Sequence, residues 1–553
     1  MKKLVKYSCI LMLAFAVSSC EDVLDGSPES FIATETFYNN IDEAEIALNG
    51  AYSVINANNV NGVGNNDTFG GSLYYVLNGG TDEMIDRNQS DRVLSFSTAA
   101  YTGEESQLVN NWYFWYAGIN AANVLIDRVP LMVASSQEEE IRKNEIIAEA
   151  TFLRGIYHMY LAKMFGAIPV NTTPIAEPNQ GRQSLEIVYT QIIEDLQYAY
   201  NNLNETSAIL GRANKWVAGA YLAKTYCYLG SSKMNNVGES LNFALNSFQW
   251  VDANDIYTKA LTILNSLETE SGYVLIDEYD RLFRETTAAD QRKECFLMAE
   301  GTNQENQQAT NYWFRILLAR GNGGTFPLGA GPTDFVPTGE LYLKYDEADI
   351  RRDHNLTRGF ANNSPTEMID EALYYVPLPV NNVKNDRFYS QGKFRQLPYE
   401  TRGLARFNSA GNFPLLRFAD VLLLKAEAQY YTGDETGART TISKVRLRAA
   451  GNDVAVRDAL DIAYNKADFI EELLDERSRE LCFECQRRFD LVRFGRHESA
   501  IEALEIGVGK WNTDPTITTL KGNWVGNEFK MWFPIPKTQT VINPNLLPNN
   551  PGY

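Results

Sequence analysis

Apolar residues recur at intervals of three and four along much of this 553-residue chain, and that spacing constrains the fold more than any other feature of the sequence. A stripe of that period is one face of an α-helix, and such a face has to be buried against something. Over residues 41–56 the stripe is Ala44, Ala47, Leu48, Ala51, Val54 and Ile55. Over 106–129 it runs through Trp112, Trp115, Tyr116 and Ile119, and over 138–165 through Ala150, Leu153, Tyr157, Tyr160, Leu161 and Met164. Further helices are predicted at 184–203, 213–230, 255–267, 413–432, 435–450 and 467–485. Short turns containing Gly, Asn or Pro join them in pairs, as at Gly166–Pro169 and Gly433–Asp434. Antiparallel pairs that cannot bury themselves alone predict stacking in the manner of tetratricopeptide repeats, although no fixed repeat period is kept. The expected fold class is mainly α: a helix-pair superhelix supporting a loop-rich ligand-binding face with a few short strands.

Segments of a different character separate the helical blocks. Residues 57–105 and 299–410 are rich in Gly, Asn, Thr and aromatics and carry little periodicity, and 505–553 holds Pro515, Pro534, Pro536, Pro544, Pro548 and Pro551. Loops of such length are usually functional or contain hidden strands. At ~150 residues per domain the length allows several units. The helices and loops alternate throughout, however, so the expected organisation is a signal over 1–19 and one intertwined unit over 20–553, with an amino-terminal part of about 20–230 and a carboxy-terminal part of about 231–553.

The first twenty residues combine Lys2, Lys3 and Lys6 with a short apolar run from Ile10 to Val17, then Ser18, Ser19 and Cys20. That is a secretory signal, too short to span a membrane. Two readings stay open: an ordinary signal that contains a cysteine, or a bacterial lipoprotein signal. Val17-Ser18-Ser19-Cys20 resembles a lipobox, so the second is preferred, with Cys20 acylated after cleavage. Several acyl chains on one cysteine anchor a protein stably. Glu21, Asp22 and Asp25 follow at once and resemble a surface-export signal.

Composition excludes other functions. Seventy Asp plus Glu against fifty Lys plus Arg give a net charge of −20, which argues against nucleic acid as a partner. Three histidines leave little for a His-built metal or triad site, and no HExxH, GxSxG or phosphate-loop sequence occurs. No cofactor, metal site or catalytic residue is expected. Cys482 and Cys485 stand three apart, but a zinc site needs a second pair and Cys227 and Cys295 are isolated, so two packed thiols are expected.

A series of motifs then appears in order. Phe37-Tyr38, Glu43-Ala44 and Ala47-Leu48-Asn49-Gly50-Ala51-Tyr52 come first. Glu149-Ala150-Thr151-Phe152-Leu153-Arg154 and Phe165-Gly166-Ala167-Ile168-Pro169 follow, then Arg182, Gly211-Arg212-Ala213, and Pro337-Thr338 with Asp349-Ile350-Arg351. Leu416-Arg417-Phe418-Ala419-Asp420, Arg479-Glu480-Leu481 with Phe483-Glu484, and Asn549-Asn550-Pro551-Gly552-Tyr553 close the series. Together they resemble the SusD/RagB-like family of outer-membrane nutrient-binding lipoproteins. The resemblance runs from Cys20 to Tyr553. It implies tetratricopeptide-like helix pairs under a loop-rich face, no catalysis, and a place on the outer membrane as the lid of a SusC-like TonB-dependent transporter, capturing oligosaccharides or, in some members, peptides.

Most of these motifs read as scaffold. Arg154 calls for an ion pair with a neighbouring helix, and Arg477–Glu480, Glu484–Arg487 and Asp490–Arg493 stand at i,i+3 on helical spacing. Trp112, Trp115, Tyr116, Ile119 and Asn123 share a core-facing side, leaving Tyr113 and Phe114 more exposable. The loop aromatics are better ligand candidates, because a sugar ring offers an apolar C–H face and a polar rim. Tyr74, Tyr75, Tyr101, Tyr312, Trp313 and Phe326 are such residues, with Asp82, Arg87, Asn311 and Arg315 as polar partners. Between 384 and 406 six basic residues face only Asp386 and Glu400. The stretch is either a solvated hairpin or a contact for the transporter or a ligand anion, with Arg395 the candidate. The leading expectation is a surface-tethered oligosaccharide-binding protein. A peptide binder on the same scaffold and a glycoside hydrolase are the alternatives.

Overall fold

The computed structural model describes residues 37–56, 68–69, 72–86, 94–207, 209–284, 287–301, 335–357, 390–394, 411–504 and 515–553. The long helices are α1 (Ile41–Ser53), α2 (Ser106–Arg128), α3 (Gln137–Phe165), α4 (Leu185–Asn202), α5 (Lys215–Met234), α6 (Ala253–Glu270), α7 (Phe418–Tyr431), α8 (Glu435–Ala449), α9 (Val454–Tyr464), α10 (Phe469–Leu481) and α11 (Arg487–Arg493). From α2 to α9 each helix packs on the next, and the long insertion between α6 and α7 does not interrupt the stack. Asn40, Ser136, Asn214 and Asp434 each accept a backbone N–H three residues on, so these starts are set by local capping.

The centre of the stack lies where amphipathic periodicity ends. In α3 every residue from Ala148 to Phe165 is buried, and in α5 every residue from Trp216 to Ser232. A helix covered on all sides belongs to the core. Trp112, Trp115, Ile119 and Asn123 face inward as expected, with the Trp115 ring stacked 5.2 Å from that of Tyr160, while Tyr113 is exposed. Arg154 meets its neighbouring helix through Asp195 at 2.6 Å.

The carboxy-terminal tail is a clamp. Gly166 ends α3 at φ 73, and a Cβ there would lie 2.5 Å from the Asn246 amide. Asn246 accepts from the Ala167 N–H at 2.7 Å, and Asn550 donates to the carbonyls of Phe165 (2.9 Å) and Phe533 (2.7 Å). The Gly-Ala-Ile-Pro turn and the terminal Asn-Asn-Pro are therefore two halves of one contact.

Two predicted boundaries are corrected. Residues 413–417, expected to open a helix, form a strand, because five consecutive buried residues pair with a partner far upstream. The helix expected over 467–485 stops at Leu481, where Phe483 and Cys485 adopt φ 68 and 60 before α11 begins. The short strands are β1 (Met84–Asp86), β2 (Cys295–Ala299), β3 (Phe335–Pro337), β4 (Leu356–Thr357), β5 (Ser390–Gln391) and β6 (Phe413–Arg417), in antiparallel pairs β1–β3, β2–β6 and β4–β5.

The three expected i,i+3 charge pairs fare differently. Only Asp490–Arg493 is paired as spaced, at 3.0 Å. Arg477 instead bonds Asp490 and Asp420, Glu484 bonds Arg417, and Arg487 bonds Asp82. Glu480 is fully buried and accepts from Arg351 (2.9 Å), Arg417 (2.9 Å) and Arg448 (2.6 Å). Burial opposes its ionisation, yet Arg448, Arg417 and Arg351 hold its carboxyl down to about 2. Cys482 and Cys485 are buried free thiols, and burial pushes Cys482 up to about 12.

Removing the charge of Glu480 leaves three buried guanidiniums one carboxylate short, although Asp349, Glu476, Glu294 and Glu484 still pair with them, so Glu480→Gln is expected to cost about 3 kcal/mol, read as a fall in the urea midpoint. A loss under about 1 kcal/mol would mean the cluster is better solvated than its geometry states. The Glu480 contribution is present above the ordinary carboxylate range and fades as pH falls through about 2.

Candidate functional site

The three strand pairs place the ends of four long segments together. Asp86, after which 87–93 follows, pairs with Phe335, which 302–334 precedes. Thr357 and Ser390, which bound 358–389, are register partners. Ala299 lies opposite Phe413, and Gly301 donates to the Asn412 side chain at 3.1 Å. β3 packs on β5, and the Phe413 ring lies 5.5 Å from Phe394 and 5.9 Å from Phe69. The described residues that flank segments 57–67, 87–93, 302–334, 358–389 and 395–410 therefore lie on one side of the scaffold, at an aromatic layer.

Four sequence candidates are buried, which corrects their expected exposure: Tyr74 and Tyr75 in that layer, Asp82 in the ionic core and Tyr101 against the carboxy-terminal tail. Tyr74 is 1% exposed, and its hydroxyl donates to Gln391 at 2.7 Å. Tyr75 is buried with its ring 5.8 Å from Phe335. Tyr101 donates to the Lys530 carbonyl at 2.9 Å, accepts from Arg488 and stacks on Phe96. Asp82 is held by Arg487 at 2.7 and 2.6 Å and by Lys344 at 3.0 Å. Their polar sequence neighbours disguise partners hundreds of residues away. Of the basic stretch, Lys393 is fully buried against Glu484 at 2.6 Å rather than solvated. Cys20, Arg87, Tyr312, Trp313, Phe326 and Arg395 lie outside the described residues, as do Asn311 and Arg315.

A cavity of about 450 Å³ opens at the edge of this side, between the end of α1, the turn at 209–212 and the end of β2. Asn49, Tyr52, Ser53, Leu210, Arg212 and Glu300 line it, none of them singled out as ligand residues from sequence. The Gly211-Arg212-Ala213 motif was the available signal. Gly211 has φ 87, and a Cβ there would stand 2.9 Å from the Glu300 carboxylate, so glycine lets the turn and the strand end meet. Arg212 donates to Glu45 and Asn49, each at 2.6 Å, and lies over the Tyr52 ring. The Tyr52 hydroxyl donates to Glu149 at 2.8 Å and accepts from the Ala213 N–H at 3.0 Å. Burial works against Glu45, yet Arg142 and Arg212 keep its carboxyl below the usual value; for Glu149 burial prevails and raises it.

A larger cavity, about 690 Å³, lies where α8 and α9 border residues 275–277. Its guanidiniums, those of Arg439, Arg446, Arg448 and Arg457, are each bound to carboxylates, which makes it the margin of the ionic core. Burial pulls His158 and His497 down to about 3, so both stay neutral at physiological pH. Among the described residues no group of His, Cys, Asp and Glu is placed to hold a metal.

Glu83 sits just before β1. Its carboxylate accepts from Ser478 at 2.7 Å, and Arg487 is committed to Asp82. Burial raises the Glu83 carboxyl to about 7, against Arg487 and with Asp82. Its stabilising share is thus full below about 4.5 and lost as pH rises through about 7. Glu83→Gln is expected to flatten the decline in melting temperature between pH 5 and 8; an unchanged slope would refute the raised value.

A stack of helices that brings the roots of several long segments together on one aromatic-floored side defines a helical scaffold protein. The comparisons with known proteins agree. The profile of the SusD family matches residues 278–553, and one described as starch-binding associating with outer membrane matches 24–227. The chain belongs to the SusD family. It is 26% identical to SusD-like protein P25 of Formosa agariphila, over 98% of each chain. Its fold matches a SusD homologue of Bacteroides thetaiotaomicron with TM-score 0.75 at 21% identity, covering 94% of this chain and 98% of that one. It also matches a laminarin-binding SusD-like protein with TM-score 0.66 at 23% identity, covering 93% and 100%.

Proposed function

We propose that this protein is a lipoprotein of the outer membrane, anchored through acylated Cys20 at the cell surface, that captures oligosaccharides without cleaving them and delivers them to a SusC-like TonB-dependent transporter. The observation that carries the reading is the gathering of five loop attachments on one side of the scaffold, in a chain whose amino-terminal part matches a starch-binding, outer-membrane-associated family. The laminarin-binding relative of the same fold supports a glycan as the ligand class. Arg87, Tyr312, Trp313, Phe326 and Arg395 lie in the attached segments and are the proposed ligand contacts: rings for the C–H face of a sugar, guanidiniums for its rim. Tyr74, Tyr75 and Tyr101 are buried in the scaffold and are not proposed as contacts.

Calorimetry of the protein against soluble polysaccharides and peptides, with reducing-end analysis of the same mixtures, tests the reading. Saturable binding of a polysaccharide with no new reducing ends is expected. Release of reducing ends would replace the binding role with hydrolysis, and binding of peptides alone would replace the ligand class. Trp313→Ala is expected to weaken the best ligand by about 2 kcal/mol, roughly thirtyfold, as a buried aromatic anchor does. Tyr101→Ala is expected to lower the melting temperature instead.

A further inference from the structure

The cavity between α1 and β2 has the furnishing of a single-sugar subsite. Its volume of about 450 Å³ falls within the range of small-ligand pockets. On one wall the Asn49 amide oxygen is taken by Arg212, while its N–H donors meet no acceptor among the described residues. Ser53 spends its proton on the Gly50 carbonyl at 2.7 Å and keeps its lone pairs to accept. The turn that also lines the cavity presents Ile209, 41% exposed, and Leu210, 73% exposed. A donor, an acceptor and apolar surface in one cavity are what the hydroxyl rim and C–H face of a pyranose require.

The charges around the cavity select among sugars. Arg212 is bound to Glu45 at 2.6 Å, with Glu149 at 3.9 Å; Arg142 is bound to Glu45, Glu145 and Glu149; and Arg292 is bound to Glu300 at 2.9 Å. Every described cation at this wall is therefore committed to a carboxylate, and the Glu300 carboxylate itself lines the space. An anionic sugar would find no uncommitted cation among the described residues, a cost that a neutral ring avoids.

Resting on the glycan-binding reading above, we infer that this cavity is a subsite for one neutral pyranose unit of the captured chain, with Asn49 and Ser53 at its hydroxyl rim, Leu210 on its C–H face and Glu300 excluding uronates and sulfated sugars. Calorimetry with laminarin, amylopectin and xyloglucan beside alginate and polygalacturonate tests it on the wild type, Ser53→Trp and Leu210→Ser. Ser53 is exposed, so the tryptophan fills the cavity without entering the core. At least one neutral glycan is expected to bind, tenfold or more weakly to Ser53→Trp and several-fold more weakly to Leu210→Ser, with melting temperatures unchanged. Neutral-glycan affinities equal to wild type in both variants would overturn the subsite while leaving the glycan reading intact. Tightest binding to a uronate polymer would overturn the charge selection. Binding of no polysaccharide by the wild type would overturn the glycan reading, and the subsite with it.

Discussion

The buried charge cluster around Glu480 is the interaction on which the rest of the molecule depends. Charges taken out of water must find partners, and here they find them across the whole second half of the chain. Arg351 precedes β4, Lys393 follows β5, Arg417 ends β6, Glu294 precedes β2 and Arg448 lies in α8, yet all converge on α10 and the turn after it. Arg487 and Ser478 add the root of β1 through Asp82 and Glu83, and Lys344, just past β3, joins Asp82. Such a cluster adds little net stability over an apolar core of equal volume, but each member tolerates only one arrangement. Its effect is to set the roots of the loops relative to the helix stack.

This anchoring accounts for how the roots of the long segments are held in place. The strand pairs are two to five residues long and would not persist alone. Ionic contacts behind them and the aromatic layer of Tyr74, Tyr75, Phe69, Phe335 and Phe413 hold them in register. Segments joined to such roots can change in sequence without disturbing the helices. The tail contributes in the same way at the other end, where Asn550 and Asn246 close the turn after α3.

Legibility from sequence followed the range of the interaction. The helices could be read because their apolar spacing is a local property, and the Arg154 partnership because a lone charge on an apolar face has few outlets. The ligand candidates Tyr74, Tyr75, Asp82 and Tyr101 could not, since Gln391, Phe335, Arg487 and Lys530 are their true neighbours. Of the i,i+3 charge pairs, Asp490–Arg493 formed as spaced, and Glu484–Arg487 failed for a related reason. A turn with two residues at positive φ ends the helix, so Glu484 and Arg487 point to different partners. The cavity residues Asn49, Ser53, Leu210 and Glu300 carried no signal except the glycine that lets two distant segments touch.

By itself, then, the sequence determined the helical class of the protein, the pairing of its helices and its family, because short-range spacing and an ordered series of motifs suffice for those. Only the tertiary structure decided which aromatics are floor and which charges are core, and that the loop roots share one side. Burial and ion pairing depend on distances between residues far apart in the chain, and no local pattern encodes those distances.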